Sequence, residues 1–555
     1  MASHPIKLSP LRFPGISTLV AILAVLGIPG PPASSMQAPH RAPTVWIDAG
    51  KLEGVPLLSM PDGAAFFGVP YAAQPVADLR WKAPQPSPKW NGVRRAAAYG
   101  PACPQAPSPW LPEILGRSRM VTDEACLYLN VWTPKLSRGA KLPVLLWIHG
   151  GGNVEGSGEW PPLGETLARK GIVVVSINYR LGIFGFFASP ELSAESPRHV
   201  SGNYGQLDQL AALHWVQRNI GGFGGDRKQV TVAGASSGSL DVCNLMASPL
   251  ASGLFQRVIL QSGVCVDSIF PTSRQAEASD NSFAKQSGSP TTPSSLAELR
   301  SIPAERLLAT AAKDRNLDLE PVVDGWFLRD QPAAIFAAGT QYRVPALVGS
   351  NENEVSVFAS SLVGGKSYRP RTITEYRQWL SRRFGVLANQ VFAAYPAQDN
   401  NDVVAAFNTM DTDFDFGFGA RLLAEESARN GQHAYLYHFT YTGKQAFASL
   451  GAFHGEESMF LSKKYWTSWI STPLDEQLSN AMIAYWSDFV RAGNPNGPDL
   501  PPWPAYETNK DWCQILGETI TSEPVPRSGK FAIFQKRLTA RLASLTGDDT
   551  VSAHR

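Results

Sequence analysis

Residues 230–238 read Val230-Thr231-Val232-Ala233-Gly234-Ala235-Ser236-Ser237-Gly238. The β-favouring run 230–233 predicts a buried strand. It leads straight into a serine bracketed by two glycines, and a helix-like segment follows. That order places Ser236 on a tight strand-to-helix turn. Such a turn needs Gly234 and Gly238, because a strained backbone with neighbours crowding close leaves no room for a Cβ at either position. The pentapeptide alone is weak in a chain with 48 Gly. The strand before it and the helix after it carry the weight.

Working outward, apolar runs at 142–148, 172–177, 230–233 and 258–261 alternate with helical segments, the pattern of buried parallel strands joined by crossover helices. Between them, residues 204–220 place Leu207, Leu210, Leu213 and Val216 at three-residue steps. Gly221, Gly222, Gly224 and Gly225 end that helix before the next strand. Upstream, residues 44–70 alternate apolar and polar around Gly50, Gly54 and Gly63, which predicts antiparallel hairpin strands at one edge of the sheet. Downstream, the Ser/Thr/Pro-rich stretch 287–295 reads as an exposed loop, and helical patterns dominate from residue 303. The fold class is therefore α/β. No internal repeat is evident, and the tail 548–555 is expected to be disordered.

Composition narrows the function. At 44% apolar, 17% charged, and with 44 Pro and a formal net charge of +2, the chain is a loop-rich globular protein. It has no Lys/Arg block to track a phosphate backbone, so a small molecule rather than nucleic acid is the expected partner. Residues 1–35 carry Lys7 and Arg12, an apolar run at 16–28, then Ala33, Ser34 and Ser35, with no Asp or Glu before Asp48. This is the pattern of a cleaved secretory signal. The apolar run, about 13 residues, falls short of the roughly 20 that a membrane-spanning helix needs. A secreted or periplasmic protein without stable membrane insertion is expected, its domain covering 36–547. Five cysteines show no C-x-x-C metal spacing. Pairing Cys103 with Cys126 and Cys243 with Cys265 would close two loops of about twenty residues, each contributing about 3 kcal/mol. Spacing alone leaves that pairing open against five reduced, buried thiols.

Strand 142–148 ends in His149-Gly150-Gly151-Gly152-Asn153, a glycine run that can turn backbone N–H groups toward one point. Acyl transfer develops negative charge on a carbonyl oxygen, and each donor aimed at it lowers the barrier by about 3–4 kcal/mol. Gly151, Gly152 and the amide of Ser237 are the candidate oxyanion donors. A phosphate cradle is disfavoured because G-x-x-x-x-G-K-[ST] is absent. A serine hydroxyl also needs a histidine to take its proton and a carboxylate to orient that histidine. For a nucleophile on this kind of turn the chain order is Ser, acid, His, which leaves His433, His438, His454 and His554. His554 lies in the tail, and His433 and His438 flank an apolar run that reads as a strand. His454, in the loop Gly451-Ala452-Phe453-His454-Gly455, is the candidate base. For the acid, strand 345–348 is followed by Gly349-Ser350-Asn351-Glu352-Asn353-Glu354. That places carboxylates at a strand's carboxyl end, where open α/β sheets put their sites. Spacing does not separate Glu352 from Glu354.

These residues resemble the type B carboxylesterase and lipase family, the cholinesterase-like branch of the α/β-hydrolases. The resemblance extends to Gly68-Val69-Pro70-Tyr71-Ala72, Asp78-Leu79-Arg80-Trp81, Cys126-Leu127-Tyr128-Leu129-Asn130-Val131-Trp132 and Asn203-Tyr204-Gly205-Gln206-Leu207-Asp208-Gln209. It continues through Phe223-Gly224-Gly225-Asp226, His454-Gly455 and Arg491-Ala492-Gly493-Asn494-Pro495-Asn496-Gly497, nearly the whole mature chain. It implies an α/β-hydrolase fold: a central, mostly parallel twisted sheet flanked by helices, with large helical insertions over the active-site edge. It also implies the triad Ser236, Glu354 and His454, supports both cysteine pairings, and needs neither metal nor organic cofactor. The expected activity is hydrolysis of small to medium, largely apolar carboxylic esters through an acyl-enzyme.

The chain departs from the family in places. Ala235 stands where the family usually has Glu and Ser237 where it has Ala, which argues against a preference for choline-like cations. Trp110 does not align with the cation-binding tryptophan of cholinesterases. Glu124-Ala125 replaces a usual Glu-Asp, which touches a structural ion pair rather than chemistry. The alternatives are an acyl-transfer or amide-cleaving enzyme with the same triad, and a non-catalytic binding module. Residues 105–120, 265–300 and 355–420 are expected to wall the pocket.

Overall fold

The computed structural model describes residues 42–107, 120–287, 295–314, 317, 319–359, 369–443, 448–463 and 471–552. The expected signal at 1–35, Trp110 and most of the loop 287–295 lie outside them. From Ala42 onward the chain forms one compact unit.

Its strands are β1 (Thr44–Ile47), β2 (Gly50–Glu53), β3 (Val55–Pro56), β4 (Ala64–Pro70), β5 (Val93–Arg95), β6 (Tyr128–Thr133) and β7 (Leu142–Ile148). They continue as β8 (Val173–Ile177), β9 (Gly225–Ala235), β10 (Arg257–Gln261), β11 (Ala346–Asn351), β12 (Ala434–Phe439), β13 (Trp512–Leu516) and β14 (Ile520–Pro524). Eleven of them form one sheet in the order β14-β13-β12-β11-β10-β9-β7-β8-β6-β4-β3. The run from β13 to β8 is parallel throughout, and the strands outside it at both edges are antiparallel. The N-terminal hairpin corrects the sequence reading in part. Only β3 and β4 join the edge of this sheet, whereas β1 and β2 pair with β5 in a separate three-stranded sheet.

The parallel strands are apolar at consecutive positions because both faces are covered. Val144, Leu146 and Ile148 face one core with Val230, Val232, Val258 and Leu260, while Leu145 and Trp147 face the other with Ala233, Ile259 and Leu347. The helices that matter for the site are α1 (Tyr204–Asn219), α2 (Ser237–Ala247), α3 (Ile373–Phe384), α4 (Val403–Thr412), α5 (Phe418–Arg429), α6 (Glu456–Ser462), α7 (Pro473–Ala492) and α8 (Ala532–Ser552). α7 starts on a Thr472/Asp475 capping box with Pro473 in its first turn and stops at Gly493, whose φ is 71°. α8 runs through Ser552.

α1 departs from a simple amphipathic helix. The three-residue ladder of Leu207, Leu210, Leu213 and Val216 is buried, and so are Gln206, Asp208 and Gln209. Asp208 takes a two-pronged ion pair from Arg180, with Nε–Oδ2 and Nη2–Oδ1 both at 2.7 Å. Gln206 and Gln209 donate to Asp241 of α2 at 2.9 and 2.6 Å. Asn153 Nδ2 reaches the same carboxylate at 3.2 Å, so one buried network ties α1 and α2 to the glycine loop after β7. Removing one partner of a buried pair leaves an uncompensated charge. Asp208→Ala is therefore expected to destabilise the protein by about 3–5 kcal/mol in urea unfolding.

The structure contains both disulfides. Cys103–Cys126 has a Cα separation of 5.0 Å, and Cys243–Cys265, with 5.5 Å, ties α2 to the segment after β10. Cys513 is free and buried. Glu124 keeps its ion pair with Arg80, with Nε–Oε2 at 2.7 Å, despite Ala125 beside it.

Candidate active site

Four loops at the carboxyl ends of β7, β9, β11 and β12 converge on one edge of the sheet. Ser236 follows β9 with φ 58° and ψ −129°, a conformation that costs a non-glycine residue roughly 1–3 kcal/mol and persists only under surrounding constraint. The constraint is visible. A Cβ on Gly234 would lie 2.4 Å from the Gly238 backbone, and one on Gly238 would lie 2.3 Å from the Ile148 carbonyl. The Ser236 N–H donates to the Gln261 carbonyl at 2.8 Å, pinning the turn to β10.

The loop after β7 packs against this turn. Gly151 has φ 111° and Gly152 φ 62°, and a Cβ on Gly151 would fall 2.1 Å from the Glu155 carbonyl. The Gly151 carbonyl accepts from the amides of Val154 and Glu155 at 3.1 and 3.0 Å, which folds the loop back on itself. The Asn153 amide donates to Ser237 Oγ at 3.1 Å. The departure at 237 thus supplies a hydroxyl that joins the loop after β7 to α2. His149 is structural: its ring stacks on Tyr179 at 4.5 Å, and burial lowers its pKa to about 4, so it is neutral.

Glu354 is completely buried. Its Oε2 lies 2.6 Å from His454 Nδ1, and its Oε1 accepts from the Asn351 amide at 2.7 Å. Glu352 points elsewhere. It binds His438 Nε2 at 2.5 Å and Arg527 at 2.8 Å, and Arg527 in turn holds Asp413. Burial resists ionisation of Glu352, but His438 and Arg527 outweigh it and hold its carboxyl down at about 2. The His454 ring lies between Phe358 and Phe416, at 5.0 and 5.1 Å. Burial lowers the pKa of His454, yet the charge and hydrogen bond of Glu354, with Glu457 behind it, more than reverse this and raise it above the usual histidine value. His454 Nε2 is buried and has no hydrogen-bond partner among the described residues.

Two cavities meet at Ser236. The first, about 440 Å³, holds Ser236 and His454 with Gly150, Gly151 and Gly152 against a wall of Trp147, Trp160, Pro161, Phe358, Phe453 and Met459. The second, about 680 Å³, lies beyond Gly152 and Ser237 and is bounded by residues 262–270, 319–321, the turn Asp413–Gly417 between α4 and α5, and α8. The expected walls at 265–300 and 355–420 contribute in part, most of 105–120 lies outside the described residues, and Trp147, Trp160 and α8 lie outside the expected ranges. Sequence reasoning also missed Glu457, a buried second carboxyl that accepts from Asn351 at 2.7 Å and Gln261 at 3.0 Å. Its signal was available: a glutamate three residues after His454, in the first turn of α6 just before the apolar run 459–461. Among the described residues no group of His, Cys, Asp and Glu could hold a metal ion, and no helix is long and apolar enough to cross a membrane.

This fold and this site define a serine ester hydrolase of the α/β-hydrolase class. Residues 41–528 match the carboxylesterase family, and the chain belongs to it. It is 36% identical over 477 residues to the fumonisin B1 esterase of Sphingopyxis macrogoltabida, covering 83% of this chain and 84% of that one. It is 32% identical to carboxylesterase 1D of Rattus norvegicus, with 87% and 90% covered. Among solved structures, PNB esterase superposes with a TM-score of 0.75 at 32% identity, covering 89% of this chain and all of the other. A Geobacillus stearothermophilus carboxylesterase gives 0.74 at 31%, with 88% and 99% covered.

Proposed function

We propose that Ser236 is the nucleophile, His454 the general base and acid, and Glu354 the carboxylate that orients His454, with the amides of Gly151, Gly152 and Ser237 holding the oxyanion. Ser236 attacks the ester carbonyl as His454 takes its proton. The alcohol leaves with that proton, and water repeats the sequence on the acyl-enzyme. The observation that carries this reading is the 2.6 Å Glu354–His454 hydrogen bond beneath a cavity that Ser236 shares. The apolar wall of that cavity suits largely apolar alcohols. A fluorophosphonate probe tests the assignment: the expected adduct maps to the peptide containing Ser236, and an adduct elsewhere removes it.

The raised pKa of His454 fixes a pH profile. Only the neutral imidazole can accept the serine proton, so kcat/KM falls as pH drops and His454 protonates. The acid limb is expected at an apparent pKa above 6.5, the ordinary histidine value. An acid limb below that value would contradict a His454 held by Glu354.

We also propose export of the chain. The N-terminal apolar run and the two disulfides support it, because such bonds persist in oxidising compartments.

A further inference from the structure

Three backbone N–H groups follow one another after β7, those of Gly151, Gly152 and Asn153. All three residues have positive φ, at 111°, 62° and 58°. The first two amides are the loop donors proposed above for the oxyanion. The third is already taken, because the Asn153 N–H donates to Ser237 Oγ at 3.1 Å. Ser237 is also the residue whose own amide completes the proposed oxyanion site. Its hydroxyl and its amide share one Cα, so the hydroxyl sets how the loop donors stand relative to the donor of α2.

Asn153 is bonded at its other polar groups as well. Its carbonyl accepts from the Gly182 amide at 2.6 Å, and its Oδ1 lies 3.0 Å from the Tyr179 hydroxyl. Its Nδ2 donates to Asp241 Oδ1 at 3.2 Å. Tyr179 and Asp241 are completely buried, and Asn153 is 4% exposed. From the other side, a Cβ on Gly150 would lie 2.6 Å from the Ala235 carbonyl, so the loop rests directly on the turn that carries Ser236. A hydrogen bond weakens steeply as its donor turns off line, and small misplacements in a preorganised site are felt in the rate. Without the Ser237 hydroxyl the Asn153 N–H becomes a buried donor that has lost its partner, and the loop must shift to satisfy it.

We propose that Ser237 Oγ and the Asn153 side chain are positioning groups that hold the Gly151 and Gly152 amides in line with the developing oxyanion. They act on kcat and leave substrate binding alone, which is how the departure at 237 enters the chemistry. The proposal rests on the oxyanion roles given above.

The test uses Ser237→Ala, which keeps the backbone amide, and Asn153→Gly, which tolerates the positive φ and removes both side-chain anchors. Turnover of p-nitrophenyl butyrate is measured per serine titrated with a fluorophosphonate, so that unfolded protein does not count. Inhibition is measured with an alkyl trifluoromethyl ketone, whose serine hemiketal places an oxyanion in the site, and with the matching methyl ketone as a ground-state ligand. Each variant is expected to lower kcat about tenfold, with KM within about twofold of wild type. Each is also expected to weaken the trifluoromethyl ketone about tenfold and to leave the methyl ketone unchanged. Wild-type kcat in either variant would overturn the proposal, as would equal weakening of the two ketones. Failure of the underlying site looks different: wild type itself would then bind the two ketones equally.

Discussion

Ser236→Ala is expected to lower kcat by about a million-fold while leaving the unfolding transition where it is. The size of the loss follows from removing the only atom that forms the acyl-enzyme. What remains is the oxyanion donors and substrate binding, which alone retain a modest acceleration over water. The folding expectation comes from the backbone. At φ 58° alanine is no more strained than serine, and the turn is imposed by Gly234, Gly238 and the Gln261 carbonyl rather than by the serine hydroxyl. Hydrolysis of p-nitrophenyl butyrate and thermal unfolding, run side by side, separate the two effects. Near wild-type turnover would remove Ser236 from the chemistry.

The second large effect distinguishes two carboxylates two residues apart. Glu354→Gln keeps the shape but replaces the charge that holds the His454 Nδ1 proton and stabilises the imidazolium, and a loss of about 10⁴ in kcat is expected. The acid limb of kcat/KM should also move to lower pH, because the main influence raising the pKa of His454 is gone. Glu352→Gln acts on the His438–Arg527–Asp413 cluster, so kcat/KM should stay within about threefold while thermal stability falls. Steady-state kinetics on the two variants decides, and the opposite ranking would transfer the acid's role to Glu352.

The legibility of this site in the sequence followed how local its determinants are. The elbow at Ser236 and the loop at Gly151 could be read because backbone crowding demands glycine at fixed offsets, and a glycine is visible without a fold. The acid was harder for the same reason. Gly349 reads as the end of a strand, yet β11 continues to Asn351 in register with Tyr437, His438 and Phe439 of β12. Gly349 is there because a Cβ would meet the Tyr437 ring at 2.4 Å. That contact is made across the sheet and leaves no trace in nearby residues. The choice between Glu352 and Glu354 depended on the same hidden pairing and needed the family resemblance. Least legible was α8. Arg537 and Arg541 look like the solvated face of a terminal helix, and only the tertiary placement of that helix brings them to the second cavity.

The meeting of two cavities at one serine also governs what becomes of the acyl group. With Ser236 as the nucleophile, departure of the first alcohol would leave the acyl group on Ser236 and the apolar cavity beside His454 open to the next nucleophile. A wall of tryptophan and phenylalanine gives water no advantage there over a second apolar alcohol. On the proposed triad, the ratio of hydrolysis to ester exchange is set by what fills that space, and in alcohol-rich solvent transesterification is the expected reaction.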